Sequence, residues 1–248
     1  MPIPRDPIAF TDTLADLLRL PDETVAMSYI YRNKYEHYLR STSTSSPLDP
    51  NHVSCPTQTL SLVTLTLSSK ATEAPRRLRA ILLPAYSLLH PPPQLALAIP
   101  SVKYDTFRAT VVRAELLLLR VLAFELRIPT PLDYLPRYVE RAMEDSLKAA
   151  EDYERWGKEE KEELGVIGEM DGGLGRICKI KAAQACKNYQ LANLFPARAV
   201  AVGCLYLAIE ERGLRITEDV KMWLDNITSG KVDVGDFEEV LDELKQTA

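Results

Sequence analysis

Few residues of this 248-residue chain have the types and spacing that catalysis requires. Only three histidines occur, His37, His52 and His90, and none stands beside a nucleophile or a second metal-ligand residue. The glycines between Gly165 and Gly175 match neither the phosphate-cradling G-x-x-x-x-G-K-[ST] loop nor G-x-G-x-x-G after a strand, and they predict a linker. The stretch Asp225 to Asp236 has the acid and the glycine of a calcium loop at its first and sixth positions. Ile227, however, removes the third-position ligand, and Asp236 is shorter than the bidentate Glu the last position prefers, so a capped loop between two short helices is expected. The four cysteines, Cys55, Cys178, Cys186 and Cys204, lack CxxC spacing and read as reduced, buried thiols. No catalytic residue, cofactor, metal or small-molecule substrate follows from these residue types.

Chemistry by side chains being poorly supplied, binding is the remaining task, and composition says on what scaffold. With 46% apolar residues the chain can bury a core, and its helix formers far outnumber its 10 glycines, which predicts an all-α fold. A net charge of −5 argues against a nucleic-acid partner, which needs a basic face. The apolar run at Leu116 to Leu119 is bounded by Glu115 and Arg120, far short of the roughly 20 residues of a membrane span, so no membrane partner is expected.

After an extended N-terminal stretch, Pro21 opens a helix that carries Ala26, Ile30, Tyr31 and Tyr35 on one face. Thr59 to Leu67 alternates leucine with hydroxyl residues like a half-buried strand. No second strand-like run exists to pair with it, so a helix is predicted. Pro75 starts a helix that Pro84 should kink or break. A proline-rich loop follows His90, and Ser101 caps a long helix to Leu122, the most apolar of all and the expected centre of the core. Thr130-Pro131-Leu132-Asp133 starts another helix, which runs into a charged stretch between Glu144 and Glu163. Pro196 opens a later helix that Gly213 ends.

Sliding the chain on itself by 140 residues sets Leu60, Leu62, Leu65 and Leu67 on Val200, Val202, Leu205 and Leu207, which points to one helical repeat used twice. Ser69-Lys70-Ala71-Thr72-Glu73 closes the first of these helices. Further on comes Glu115-Leu116-Leu117-Leu118-Leu119-Arg120-Val121-Leu122-Ala123-Phe124-Glu125-Leu126, with Pro129 and Pro131 after it.

Together these segments resemble a cyclin box, whose motifs read approximately A-S-K-x-E-E and E-x-x-[IVL]-L-x-x-L-x-F-x-[LVI]. Leu20 to Ala26 is similar to the start of the preceding cyclin-box helix, and Ala199 to Ala208 resembles the matching helix of a second box. The resemblance implies two tandem cyclin-box repeats, with an N-terminal extension at 1–19, a first box at 20–128, a connecting helix and linker at 129–175, and a divergent second box at 176–248. It also implies a non-catalytic subunit that binds and activates a cyclin-dependent kinase by packing against the kinase's mobile regulatory helix. By position, Lys70 and Glu115 match the pair that holds the kinase backbone, Leu119, Leu122 and Phe124 the apolar seats, and Glu73 an accompanying acid.

Leu78-Arg79-Ala80-Ile81-Leu82 imitates the substrate-docking motif of cell-cycle cyclins but follows Lys70 rather than preceding it. The chain therefore looks more like the transcription-associated C, K, L, T and Q group, which implies a nuclear location, with the cytoplasm also open to it. The alternative is a transcription factor IIB-like scaffold, which shares twin helical repeats but needs a basic face that this acidic chain lacks.

Overall fold

The computed structural model describes residues 6–43, 55–90, 97–152, 170, 172–213 and 219–247, and every regular element among them is helical. Eleven helices occur among the described residues: α1 (Pro7–Leu18), α2 (Asp22–Ser43), α3 (Thr57–Ala71), α4 (Leu78–Leu89), α5 (Val102–Val121), α6 (Pro131–Asp152), α7 (Gly173–Ala185), α8 (Tyr189–Asn193), α9 (Ala197–Glu211), α10 (Val220–Thr228) and α11 (Val234–Thr247). They form two compact units, Met1–Ile128 and Pro129–Ala248.

In the first unit α3 is the central helix and packs on α1, α2, α4 and α5. Every residue from Leu60 to Ser69 is buried, so the helix has no polar face to give to water. Its hydroxyl residues explain both the strand-like pattern and its resolution. Thr64, Thr66, Ser68 and Ser69 donate to the carbonyls of Ser61, Leu62, Leu65 and Thr66 at 2.8–3.2 Å, and the Ser61 hydroxyl donates to the Pro7 carbonyl at 3.3 Å. Back-bonding to the preceding turn satisfies each hydroxyl inside the core, an option that a strand lacks.

Three expectations from the sequence are corrected here. The N-terminal stretch is helical from Pro7, because Asp6 caps α1 by accepting from the Ile8 and Ala9 amides at 3.1 and 3.3 Å, and a proline at the first helical position forfeits nothing. Phe10 and Leu14 are fully buried in the core. Of the kink or break expected at Pro84, the break does not occur: α4 runs unbroken from Leu78 to Leu89 with Ile81, Leu82 and Ala85 buried on either side of the proline. That burial offsets the cost of about 3 kcal/mol for a helical proline. Finally, α5 is peripheral rather than central, with only Val111 and Leu118 of its 20 residues buried.

In the second unit α9 takes the central place, packed on α6, α7, α8, α10 and α11. Adding 140 to the bounds of α3, 57 and 71, gives 197 and 211, the bounds of α9. α6, read from sequence as a connector, packs on α7, α9 and α10 within this unit. Its start is a capping box, in which Asp133 Oδ2 accepts from the Thr130 amide at 2.6 Å and from the Thr130 hydroxyl at 3.0 Å. Gly173 to Gly175, read as the end of a linker, form the first turn of α7, with Leu174 buried. The charged stretch beyond Asp152 and most of the proline-rich loop lie outside the described residues.

The thiols of this unit make its stability pH-dependent. Burial pushes Cys178 and Cys186 up to about 12 from an ordinary 9.0, the Asp133 charge adding to the effect at Cys186. Burial raises Cys204 too, with the neighbouring Cys178 and Cys186 adding to it. The unfolded chain releases these protons near pH 9 and the folded one does not, so their contribution is intact below pH 9 and is lost as pH climbs toward 12. The unit therefore weakens as pH rises through that window. Denaturation midpoints measured between pH 8 and 10.5 should fall steadily above pH 9, and substitution of Cys178 by alanine should flatten the fall.

Candidate functional site

Two helix ends build the site in the first unit. α3 closes with the Thr72 amide donating to the Ser68 carbonyl at 2.9 Å and the Ala74 amide donating to the Ser69 carbonyl at 3.0 Å. Glu73 lies between them at φ 58°. The Thr72 hydroxyl shares a hydrogen bond with that of Thr24 at 2.6 Å, which ties the end of α3 to the start of α2. Lys70, in the last turn, is thereby held at a helix C-terminus, where a cation suits the macrodipole.

Lys70 Nζ forms a close ion pair with Glu115 Oε1 of α5. The Lys70 side chain is 51% exposed and that of Glu115 only 13%. The carboxylate is thus largely desolvated and the ammonium faces outward, so the pair offers donors to an incoming polar backbone from a fixed point.

The other helix end is strained. At the close of α5 the Phe124 amide donates to the Leu119 carbonyl at 2.9 Å and the Glu125 amide to the Leu122 carbonyl at 2.9 Å. Ala123 and Phe124 both adopt left-handed backbone, at φ 49° and 61°. For residues other than glycine each costs about 1–2 kcal/mol. The Tyr31 hydroxyl, donating to the Leu126 carbonyl at 2.6 Å, pins the chain just beyond and holds the turn. Its result is a Phe124 side chain 67% exposed to solvent, strain and apolar exposure that the first unit's own packing gives no reason to keep.

Of the six residues assigned by resemblance, Lys70 and Glu115 are bonded to each other and Phe124 is exposed close by along the chain. Leu119 is half-buried one turn beyond Glu115. Leu122 is buried in the core and supports the surface instead of lining it. Glu73 forms a separate ion pair with Arg127 at 3.7 Å, both side chains being largely exposed, an arrangement of little energetic weight. Sequence reasoning missed Leu116, 52% exposed on α5, although its spacing from Val112 and Leu119 marks a helix stripe. The offset of 140 puts Glu210 of α9 where Lys70 stands in α3, so the lysine belongs to the first unit alone.

Residues with chemical potential elsewhere are engaged in packing. The His90 ring stacks on Tyr86 with centroids 4.1 Å apart, its Nδ1 lying 3.2 Å from the Tyr86 carbonyl. His52 lies outside the described residues. Ser229 and Gly230, at φ 57° and 65°, form the turn between α10 and α11. Among the described residues no group of three or more His, Cys, Asp or Glu side chains could hold a metal ion, and no helix is long and apolar enough to cross a membrane.

No family model matches the chain, and neither does any curated protein sequence. Among solved structures it is similar to a chain of the yeast RNA Pol II CTD kinase CTDK-1 complex, with a TM-score of 0.61 at 14% identity. The two share a fold. The match covers 97% of this chain and 63% of that one, so the chain spans less than two thirds of its structural neighbour's length.

Proposed function

We propose that this chain is a regulatory subunit that binds and activates a cyclin-dependent protein kinase of the transcription-associated class, the chemistry being left to the kinase. The observation that carries the reading is the Lys70–Glu115 ion pair. Two residues 45 apart in sequence, singled out by resemblance as one partner-holding pair, converge on one point of the first unit. The fold shared with a chain of a kinase complex supports it.

The guest is the kinase's regulatory helix, which bears the glutamate that must pair with the ATP-positioning lysine. Lys70, held in place by Glu115, donates to backbone carbonyls at the C-terminal end of that helix, while Leu119 and Phe124 take up its apolar side. The polar pair fixes orientation and apolar burial supplies affinity. Nuclear residence goes with this reading and is checked by imaging a fluorescent fusion.

The test is affinity purification of the tagged chain followed by a kinase assay on what co-purifies. The wild type should recover a kinase, and Lys70→Ala with Glu115→Ala should lose most of it. Equal recovery by both forms would refute the interface, and absence of any kinase with the wild type would refute the activator role.

Phe124→Gly separates folding from docking, because the two effects have opposite signs. Glycine relieves the left-handed backbone, so thermal unfolding of the variant should shift upward by the equivalent of about 1 kcal/mol. Loss of the exposed ring should lower kinase recovery in the same preparation. A variant that loses both stability and kinase would mean that the ring serves the fold alone.

A further inference from the structure

We infer that Ser229, in the turn after α10, is a phosphorylation site whose phosphate is received by Arg141 of α6. The inference concerns the second unit alone and does not rest on the kinase reading.

Ser229 ends α10 in left-handed backbone at φ 57°, a position that favours glycine, yet glycine comes one residue later at Gly230. What serine adds at this strained place is a hydroxyl. Arg141, 88 residues earlier in the chain, donates from Nη1 to Ser229 Oγ at 2.6 Å, to the Ile227 carbonyl at 2.8 Å and to the Asn226 carbonyl at 3.5 Å. Every one of these acceptors is neutral. Among the described residues no carboxylate pairs with Arg141, and its Nη2 has no hydrogen-bond acceptor. Lys231, exposed two residues beyond Ser229, has no ion pair among them either.

A guanidinium with its charge unneutralised and half its fork unused, aimed at an exposed hydroxyl, is the environment that a phosphoserine takes up. The opposing charges are Asp225, Asp233 and the negative end of the α10 dipole. Both aspartates are exposed and act through water, whereas the guanidinium acts at bonding distance, where charge-assisted bonds are about twice as strong as neutral ones. The neighbouring Thr228 is a poor alternative, being buried and donating to the Leu224 carbonyl at 2.7 Å.

The co-reactant is Mg-ATP, used by a serine/threonine kinase. Ser229 Oγ forms a bond to the γ-phosphorus as the bond from that phosphorus to the β,γ-bridging oxygen breaks, ADP leaves, and the hydroxyl proton passes to the kinase's base. The phosphate then accepts from both Nη1 and Nη2 of Arg141, and the single hydroxyl contact between the turn and α6 becomes a bidentate one.

Two measurements test this. Protein recovered from its native cells with phosphatase inhibitors is digested with trypsin, and the peptide spanning 222–231 should carry phosphate on Ser229 and not on Thr228. The full chain with phosphoserine inserted at position 229 by codon suppression is then followed by phosphorus NMR. Its phosphate should titrate below the ordinary value of about 6, and Arg141→Gln should return it there. Arg141→Lys, which keeps the charge and loses the fork, should fall between the two. The thermal midpoint should rise by about 4 °C on phosphorylation of the wild type and fall on phosphorylation of Arg141→Gln, where only the dipole and the aspartates act. A merely structural Arg141 would move the midpoint of the unmodified chain but not the titration of the phosphate. The inference is overturned by an unmodified peptide, by phosphate on Thr228, or by a phosphate that titrates alike with arginine, lysine and glutamine at position 141.

Discussion

Gly203→Leu is expected to unfold the second unit at temperatures the wild type withstands. Gly203 sits in the fully packed stretch of α9, and a Cβ there would meet Val240 Cγ1 at 2.9 Å and Leu244 Cδ1 at 3.0 Å, both on α11. Val240 and Leu244 are themselves buried, so they have little room to withdraw. Alanine at this position gains about 1 kcal/mol of helix propensity and incurs about 1–3 kcal/mol of overpacking, a small net loss. Leucine adds three more carbons into the same contact and should cost about 3 kcal/mol or more, a large fraction of the 5–15 kcal/mol that holds a typical domain. Chemical denaturation of the two variants decides it. If leucine proves no worse than alanine, α11 does not pack on Gly203 as closely as these distances state.

The same glycine shows what an internal repeat does and does not reveal. The offset of 140 residues located both central helices, but the counterpart of Gly203 is Val63, so the repeat hid a close helix approach particular to the second unit. Helix starts were legible wherever a cap and a proline coincided, as at Thr130 and Pro131, because both act within one turn and need no tertiary contact. At Pro7 the same chemistry is present, with Asp6 as the cap, although the sequence reading passed over it as an extended stretch.

The placement of α5 in the core failed for a more instructive reason. Its sequence is apolar on two sides, one for Val111 and Leu118 and another for Val112 and Leu116, and composition sums the two. Only the structure separates the side that is covered from the side that is not. Pro84 illustrates a different limit, since a local rule predicts the cost of a proline but not the burial of Ile81, Leu82 and Ala85 that outweighs it.

Within the candidate site, the motif order identified Lys70 and Glu115, while the strain at Ala123 and Phe124 could not be read from residue types. Left-handed backbone is announced by glycine, and neither position has one. The burial of Leu122 was equally illegible, because successive apolar residues at a helix end point about 100° apart, and which of them meets the core depends on where the next helix lies.

Exchanging the two charges, Lys70→Glu with Glu115→Lys, should preserve the fold and fail to restore kinase binding. Inside the first unit the pair needs only opposite signs, so the exchanged side chains can bond again. The main penalty is a carboxylate at the C-terminus of α3, which opposes the helix dipole by about 0.3–1 kcal/mol. A docked kinase helix presents unpaired carbonyls at its C-terminal end, so the exchanged pair sets the carboxylate at position 70 against them, acceptor against acceptor. Binding should therefore fall by about 2–5 kcal/mol, as when a buried charged partner is removed outright. Denaturation and kinase recovery measured on the single and double variants form a cycle that isolates the two roles. Recovery of kinase by the exchanged pair would mean that Lys70 and Glu115 serve only to hold α3 against α5, and the docking surface would have to be sought elsewhere on the first unit.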